Sequence, residues 1–265
     1  MAQRLIRAEN KAQLACVRPF FEGWRSCMID CALEGAMGSI WTCAEAAEAA
    51  VCETGDFLFL SGDEASPQCE TLLKAFEARK RGRILVSRNE ALHARAGEIL
   101  KNSAVEDTRF AFETDMDAFD REGLAQMAGQ LPDGVELRLF DSHCVRLALQ
   151  NEWSRDFCFQ FVSEEDYLAR GFGVAAMAGE ELVGGASTYA VCAAGAEIQI
   201  DVRSDWRRQG IASACAAAFV LECFRRGIVP EWDAISPVSA HLARKLGFRE
   251  TGAYPVWLLG QEVHG

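Results

Sequence analysis

One junction constrains this chain more than any other feature. The alternating run Glu197-Ile198-Gln199-Ile200-Asp201-Val202 reads as a strand. The segment Arg207-Arg208-Gln209-Gly210-Ile211-Ala212 follows it and opens a long apolar helix that Gly227 closes. A glycine lets the backbone approach a ligand with no side chain in the way. A helix start offers unpaired backbone N–H groups and the positive end of a dipole, a ready site for phosphate. Arg207 and Arg208 add charge-assisted donors. The hexapeptide alone also fits a helix that merely begins with a solvated arginine pair. A dinucleotide site of the G-x-G-x-x-G type is excluded, because no such run follows a strand.

On either side the chain reads as two halves. In the first, the alanine-rich residues 45–51 favour helix. Residues 57–60 form a strand, Ser66-Pro67 start a helix that Gly82 stops, 84–86 form a strand, and Asn89 caps a further helix to Leu100. This alternation predicts an α/β layer structure. A strand at 109–112 and a helix at 118–127 follow, and Leu131-Pro132-Asp133-Gly134 is a turn cluster. The domain boundary is placed there, giving an α/β domain over 1–130 and a second domain over 131–265. The second half reads β-α-α-β-β-β-α-β-α-β: a strand at 135–140, Asp141-Ser142 and Ser163-Glu164-Glu165-Asp166 as helix starts, and an antiparallel meander over 171–202. The long helix, a strand at 232–234, a helix after Ser236-Pro237 and a strand at 253–259 complete it. No internal repeat is visible.

Composition limits the partners. Of 265 residues, half are hydrophobic and a quarter charged, so the chain can bury real cores. The net charge of −12 argues against nucleic acid, whose binding needs clustered cations, and favours cationic amines. Eleven cysteines carry no CxxC pair, and Cys27 with Cys31 completes no zinc set, so they read as reduced, buried side chains with no metal. The N-terminus Met1-Ala2-Gln3-Arg4 lacks the apolar core of a signal peptide, and 211–224 is too short to span a bilayer. The expectation is a cytoplasmic protein with neither membrane nor nucleic acid as partner.

The strand 197–202, the loop 207–212 and the later Ala243-Arg244-Lys245-Leu246-Gly247-Phe248 resemble the GNAT acetyltransferases in order and spacing. More narrowly, Gly171-Phe172-Gly173, Gly185-Ala186-Ser187, Trp232-Asp233-Ala234 and Ser239 resemble the GNAT branch typified by the zwittermicin A resistance acetyltransferase. The likeness reaches into the first half through 35–39 and 56–62. It implies an α/β (α+β) fold class: a C-terminal GNAT fold with a central mixed sheet flanked by helices, preceded by an α/β N-terminal domain. It further implies acetyl-CoA as co-substrate. Ile200, Asp201 and Val202 would pair with its pantetheine arm, and Arg207, Arg208, Gln209, Gly210, Ile211 and Ala212 would hold its pyrophosphate. Ser236 and Ser239 would complete the cofactor site. The first half would supply acceptor specificity or a homodimer surface, with no second CoA site.

An amine must lose a proton before it attacks a thioester. Glu197, on the strand face shared with Gln199 and Asp201, is the first candidate base; it reads equally as a solvated or salt-bridged carboxylate. Asp233 is the second, or else a hydrogen-bond acceptor beside Trp232. The family's frequent Asn and Tyr are replaced by Ser236 and Ala243, and the alanine cannot protonate a departing thiolate. His241 is one substitute, or a surface histidine. His93, His143 and His264 have no nameable partner. Two classes of function stay open: an N-acetyltransferase acting on a primary amine of a small molecule, and a non-catalytic acyl-CoA-binding or regulatory GNAT-like module.

Overall fold

The computed structural model describes residues 5–79 and 83–260. The N-terminal tetrapeptide, Gly82 as a helix stop and His264 lie outside the described residues. The chain divides into two compact units, Met1–Arg109 with Ala253–Gly265, and Phe110–Gly252.

The first unit contains β1 (Ile6–Arg7), α1 (Lys11–Val17), α2 (Cys27–Leu33), β2 (Ser39–Thr42), β3 (Ala49–Thr54), β4 (Phe57–Gly62), α3 (Pro67–Glu77), β5 (Arg83–Val86) and α4 (Glu90–Leu100). Strands β1 to β4 pair antiparallel in chain order, and α3 carries the chain over to β5, parallel to β4. Both long helices begin at side-chain caps: Ser66 accepts from Gln68 N, and Asn89 from Leu92 N. Their apolar faces (Leu72, Leu73, Phe76, Leu92, Ala96, Leu100) bury against Ala49, Val51, Leu58 and Leu60 of the sheet. The helix expected at 45–51 is not formed. Ala49, Ala50 and Val51 lie in β3, all but inaccessible to solvent, paired to β4. Tertiary pairing overrides alanine's helical preference, which is worth only tenths of a kilocalorie per residue.

The second unit begins within β6 (Ala104–Glu113) and continues through α5 (Arg121–Ala128), β7 (Val135–Leu139), α6 (Ser142–Gln150), α7 (Glu164–Arg170), β8 (Gly173–Ala178), β9 (Glu181–Val191) and β10 (Gly195–Val202). Then come α8 (Ile211–Arg226), β11 (Val229–Glu231), β12 (Asp233–Ala234), α9 (Pro237–Leu246) and the start of β13 (Arg249–Leu259). Five strands form a sheet in the order β11-β10-β9-β8-β7, with β11 parallel to β10 and the rest antiparallel. The turn cluster at 131–134 lies inside this unit. Phe119 and Leu124, upstream of it, are buried with Ala216, Ala217 and Val220 of α8, so the compact unit starts at Phe110.

The units repeat one element order. From β1 to β6, and again from β7 to β13, the chain runs strand, two helices, three antiparallel strands, helix, short parallel strand, helix, strand, the second run adding only the two-residue β12 after its short parallel strand. Each unit takes its last strand from the other repeat. In the first, Trp257↔Leu85 to Leu259↔Arg83 pair β13 with β5; in the second, Asp233↔Ala111 and Ala234↔Phe110 pair β12 with β6.

Candidate active site

The junction expected from the sequence forms between β10 and α8. Val202 is buried, and Arg203 turns the chain by bonding Asp205 and Glu181. Arg207 is engaged within the loop: its Nε donates to the Val202 carbonyl at 3.0 Å and its Nη2 lies 3.4 Å from Asp201 Oδ1. Asp201 Oδ1 also accepts from Val202 N at 2.7 Å. Of the two expected cations, Arg207 therefore holds the loop, while Arg208 is exposed with φ of +62°, a conformation uncommon for an arginine. Gln209 is exposed and its Nε2 reaches Asp205 O at 3.4 Å. Gly210 has φ of +87° and is the N-cap of α8, with no side-chain cap hydrogen bond. Ile211 is buried and seats the helix against Gly184, where a Cβ would come within 2.7 Å of its Cγ2. Ala212 is half-buried in the first turn. The helix thus presents its opening N–H groups and positive pole without a capping side chain.

Beside the junction the sheet opens. The parallel ladder between β10 and β11 ends at Glu197↔Glu231. The strand expected at 232–234 is not what borders β10: 229–231 pairs with it, and β12, at 233–234, turns away to β6. Among the described residues, 198–202 keep only β9 as a strand neighbour. Ile198 and Ile200 pack on the cluster of Trp232, Ala243 and Phe248, leaving Glu197, Gln199 and Asp201 on the alternate positions.

Glu197 stands at the apex of this opening, 6% exposed, its Oε1 accepting from Asp233 N at 2.9 Å. Opposite it, Glu231 brings a carboxylate oxygen within 4.8 Å of a Glu197 oxygen. Sequence reading missed Glu231, since nothing in Val229-Pro230-Glu231 specifies its register. A shift in the β9–β10 pairing at Glu197/Ile198 marks the same point; such irregularities commonly re-aim side chains at sites. Asp233 is half-buried on β12. Ser236 caps α9 by accepting from Ser239 N, and Ser239 Oγ accepts from Trp232 Nε1 at 3.2 Å. His241 is exposed. Burial makes Cys215 and Cys158 poor nucleophiles, pushing both thiols up to about 12. No disulfide joins any of the eleven cysteines, and Cys16 is exposed. Among the described residues no helix is long and apolar enough to cross a membrane.

A family model described as GNAT acetyltransferase matches residues 18–257. A GCN5-related N-acetyltransferase-like protein from Streptococcus suis is 32% identical, with a TM-score of 0.86 over 94% of this chain and 98% of that one. A tandem GNAT protein from the clavulanic acid biosynthesis pathway shares the fold at 15% identity, with a TM-score of 0.57 over 96% of each chain. The N-acetyltransferase YdfB of Bacillus subtilis, itself uncharacterized, is 28% identical over 135 residues, 49% of this chain and 51% of that protein. The chain thus matches about half the length of this curated relative.

Proposed function

Because the chain belongs to the GNAT acetyltransferase family, we propose that it is a cytoplasmic N-acetyltransferase that moves an acetyl group from acetyl-CoA to a primary amine of a small molecule. The observation that carries this reading is the open edge of β10 leading into an uncapped helix start at Gly210. The cradle fits a pyrophosphate: Gly210 presents no side chain, and its φ of +87° disfavours one. Ile200, Asp201 and Val202 offer backbone groups to the pantetheine arm. The N–H groups from Arg207 to Ala212 hold the pyrophosphate, with Arg208 as the exposed cation and Arg207 shaping the loop. Ser236 and Ser239 flank the arm from α9.

Glu197 is the base in this reading, and Asp233 positions it through its backbone N–H. The adjacent Glu231 carboxylate adds negative charge that favours a cationic amine over a neutral or acidic acceptor. The resemblance to the zwittermicin A resistance branch supports an antibiotic-like or metabolite amine. The first unit serves acceptor specificity or a homodimer surface.

Acetyl-CoA at about 100 times its Kd adds about 2.7 kcal/mol of stability, which raises Tm by roughly 5 °C or more for a chain of this size. No shift with CoA or acetyl-CoA would sink the reading. Thioester consumption over an amine panel tests catalysis; retention of CoA without turnover would favour a binding module. On the accepted amine, Glu197→Gln keeps the oxygen that Asp233 N bonds, yet lowers kcat by about 10²- to 10⁴-fold. The loss shrinks as pH rises and more of the amine is already free. A wild-type kcat at neutral pH would pass the role to Asp233 or water.

A further inference from the structure

We propose that β7 is a dimer face, through which two copies of this chain pair antiparallel about a two-fold axis at Leu137. The inference stands apart from the acetyl-CoA reading. Strand β7 ends the five-stranded sheet, with β8 on one side and, among the described residues, no strand on the other. The remaining terminal strands, β1, β11 and β12, have two or three residues, whereas β7 has five. Short length, lysine, proline and bulges are what ordinarily protect an edge from pairing. Val135-Glu136-Leu137-Arg138-Leu139 holds neither lysine nor proline, and its register with β8 runs without a shift.

The ladder fixes which backbone groups face out. Phe140 N donates to Gly173 O at 2.9 Å, one step beyond the pair Leu139↔Val174. Antiparallel ladders alternate, so Glu136 and Arg138 turn their backbone groups to β8, while Val135, Leu137 and Leu139 turn theirs outward. Val135 N is spent on Pro132 O at 3.1 Å. The N–H groups of Leu137 and Leu139, and the carbonyls of all three, are left along the edge. On the face that carries α8, Leu137 and Leu139 line a cleft with Val174, Ala218 and Leu221, and Leu139 is 52% exposed. By alternation Glu136 and Arg138 project to the other face, where Arg138 Nη2 donates to Glu136 Oε1 at 3.0 Å.

This pattern is its own complement. With Leu137 on the axis, Glu136 faces Arg138 of the second copy, and Arg138 faces that copy's Glu136. Leu137 N–H meets the second copy's Leu137 carbonyl, and Leu139 N–H meets its Val135 carbonyl, each in both directions. The apolar rows of both strands fall on the α8 face, so the second copy covers the cleft. Sliding the second strand by two residues, the next register that keeps outward groups facing, sets Glu136 against Glu136 or Arg138 against Arg138. Like charges directly opposite are destabilising, so the charges select one register. A foreign peptide would have to bring the matching charges; a second copy carries them. The dimer face then belongs to the second unit, and acceptor specificity is left to the first.

The test is sedimentation of the whole chain and its charge variants at micromolar concentration. The wild type sediments as a dimer that dissociates on dilution. Glu136→Arg and Arg138→Glu each set like charges opposite one another at both pairs, and each weakens dimerisation by about tenfold or more. Melting curves check that each variant is folded. An equimolar mixture of the two variants restores the dimer, and so does the double variant Glu136→Arg/Arg138→Glu. A purely structural role for either residue predicts no such rescue. A wild type that stays monomeric overturns the proposal and returns the edge to a different occupant. Folded single variants that stay dimeric, or a mixture that stays monomeric, overturn it as well.

Discussion

The two units run the same order of elements, yet their third meander strands end in opposite chemistry. At the end of β4 comes Gly62-Asp63-Glu64-Ala65-Ser66-Pro67; at the end of β10 comes Arg203-Ser204-Asp205-Trp206-Arg207-Arg208-Gln209-Gly210. In the first unit the helix start is satisfied by its own chain. Ser66 Oγ accepts from Gln68 N at 3.1 Å and donates to Glu48 Oε2, and Pro67 has no N–H to offer. Asp63 Oδ1 takes Ala65 N, and Glu64 takes Asn89. Carboxylates crowd a place where a phosphate would have to sit.

The strand opening in the first unit is filled as well. The β4–β5 ladder also stops early, at Phe59↔Val86. Beyond it Ser61 donates to Phe20 O, Trp24 packs edge-on against Phe59, and the Arg88 guanidinium lies 4.7 Å over the Trp24 ring. One scaffold is capped, acidic and plugged; the other is uncapped, cationic and open. Helix caps and a few side chains separate a structural copy from a candidate donor site, with no change of topology.

The largest expected effect concerns the boundaries. A fragment of residues 131–265 lacks Phe110, Phe112, Phe119 and Leu124, which pack in the cluster with Trp232 and Phe248. Burying a side chain such as Leu124 contributes about 1.5–3 kcal/mol, so losing all four exceeds the margin of a small domain. That fragment should show no cooperative thermal transition, whereas 110–252 retains one. A sharp melt for 131–265 would break the description of the units.

Next comes the donor site. Gly210→Glu should abolish CoA binding in a folded protein, because a carboxylate both strains the positive φ and repels the pyrophosphate. Glu64→Lys in the matching loop of the first unit should leave CoA affinity unchanged. Calorimetry should return one CoA site per chain; a two-site isotherm would erase the contrast between the loops.

The smallest effect distinguishes ion pairs. Glu222 of α8 is buried and held by Arg225 and Arg226 at 2.6 and 2.7 Å, which lowers its carboxyl below the usual range. Its folded value lies below the unfolded one, so the stabilisation is present above the ordinary carboxylate range and is lost as pH falls through the folded value. Glu222→Gln should cost about 1 kcal/mol at neutral pH and flatten the acid limb of a urea-midpoint profile. Glu70 of α3 pairs with Lys74 in the open, and its removal should leave the midpoint nearly unchanged. Equal effects would show that burial is not what separates the pairs.

Much of this was legible in the residues. Ser66-Pro67, Asn89, Asp141, Ser163 and Ser236-Pro237 all start helices, because capping and proline's fixed φ act within a few residues. The alternation of 197–202 and the helix from Ile211 to Gly227 were readable for the same reason, and with them the candidate phosphate cradle. What is local in the chain is local in the sequence. The rest depends on partners far away in it. Ala49 to Val51 became a strand because β4 and the helices above needed small side chains there. Glu231 came opposite Glu197 only through strand register. Arg207 turned inward to Val202 O because the loop folded back on its own strand. The repeat stayed hidden because the two copies keep their element order while their side chains differ. The exchange of last strands had no signal at all, since β6 and β13 can each be read as following the helix before it. Sequence determined the elements and the junction chemistry, which short-range sterics and caps specify; tertiary structure decided register, boundaries and which strand completes which unit, which only long-range pairing and burial can choose.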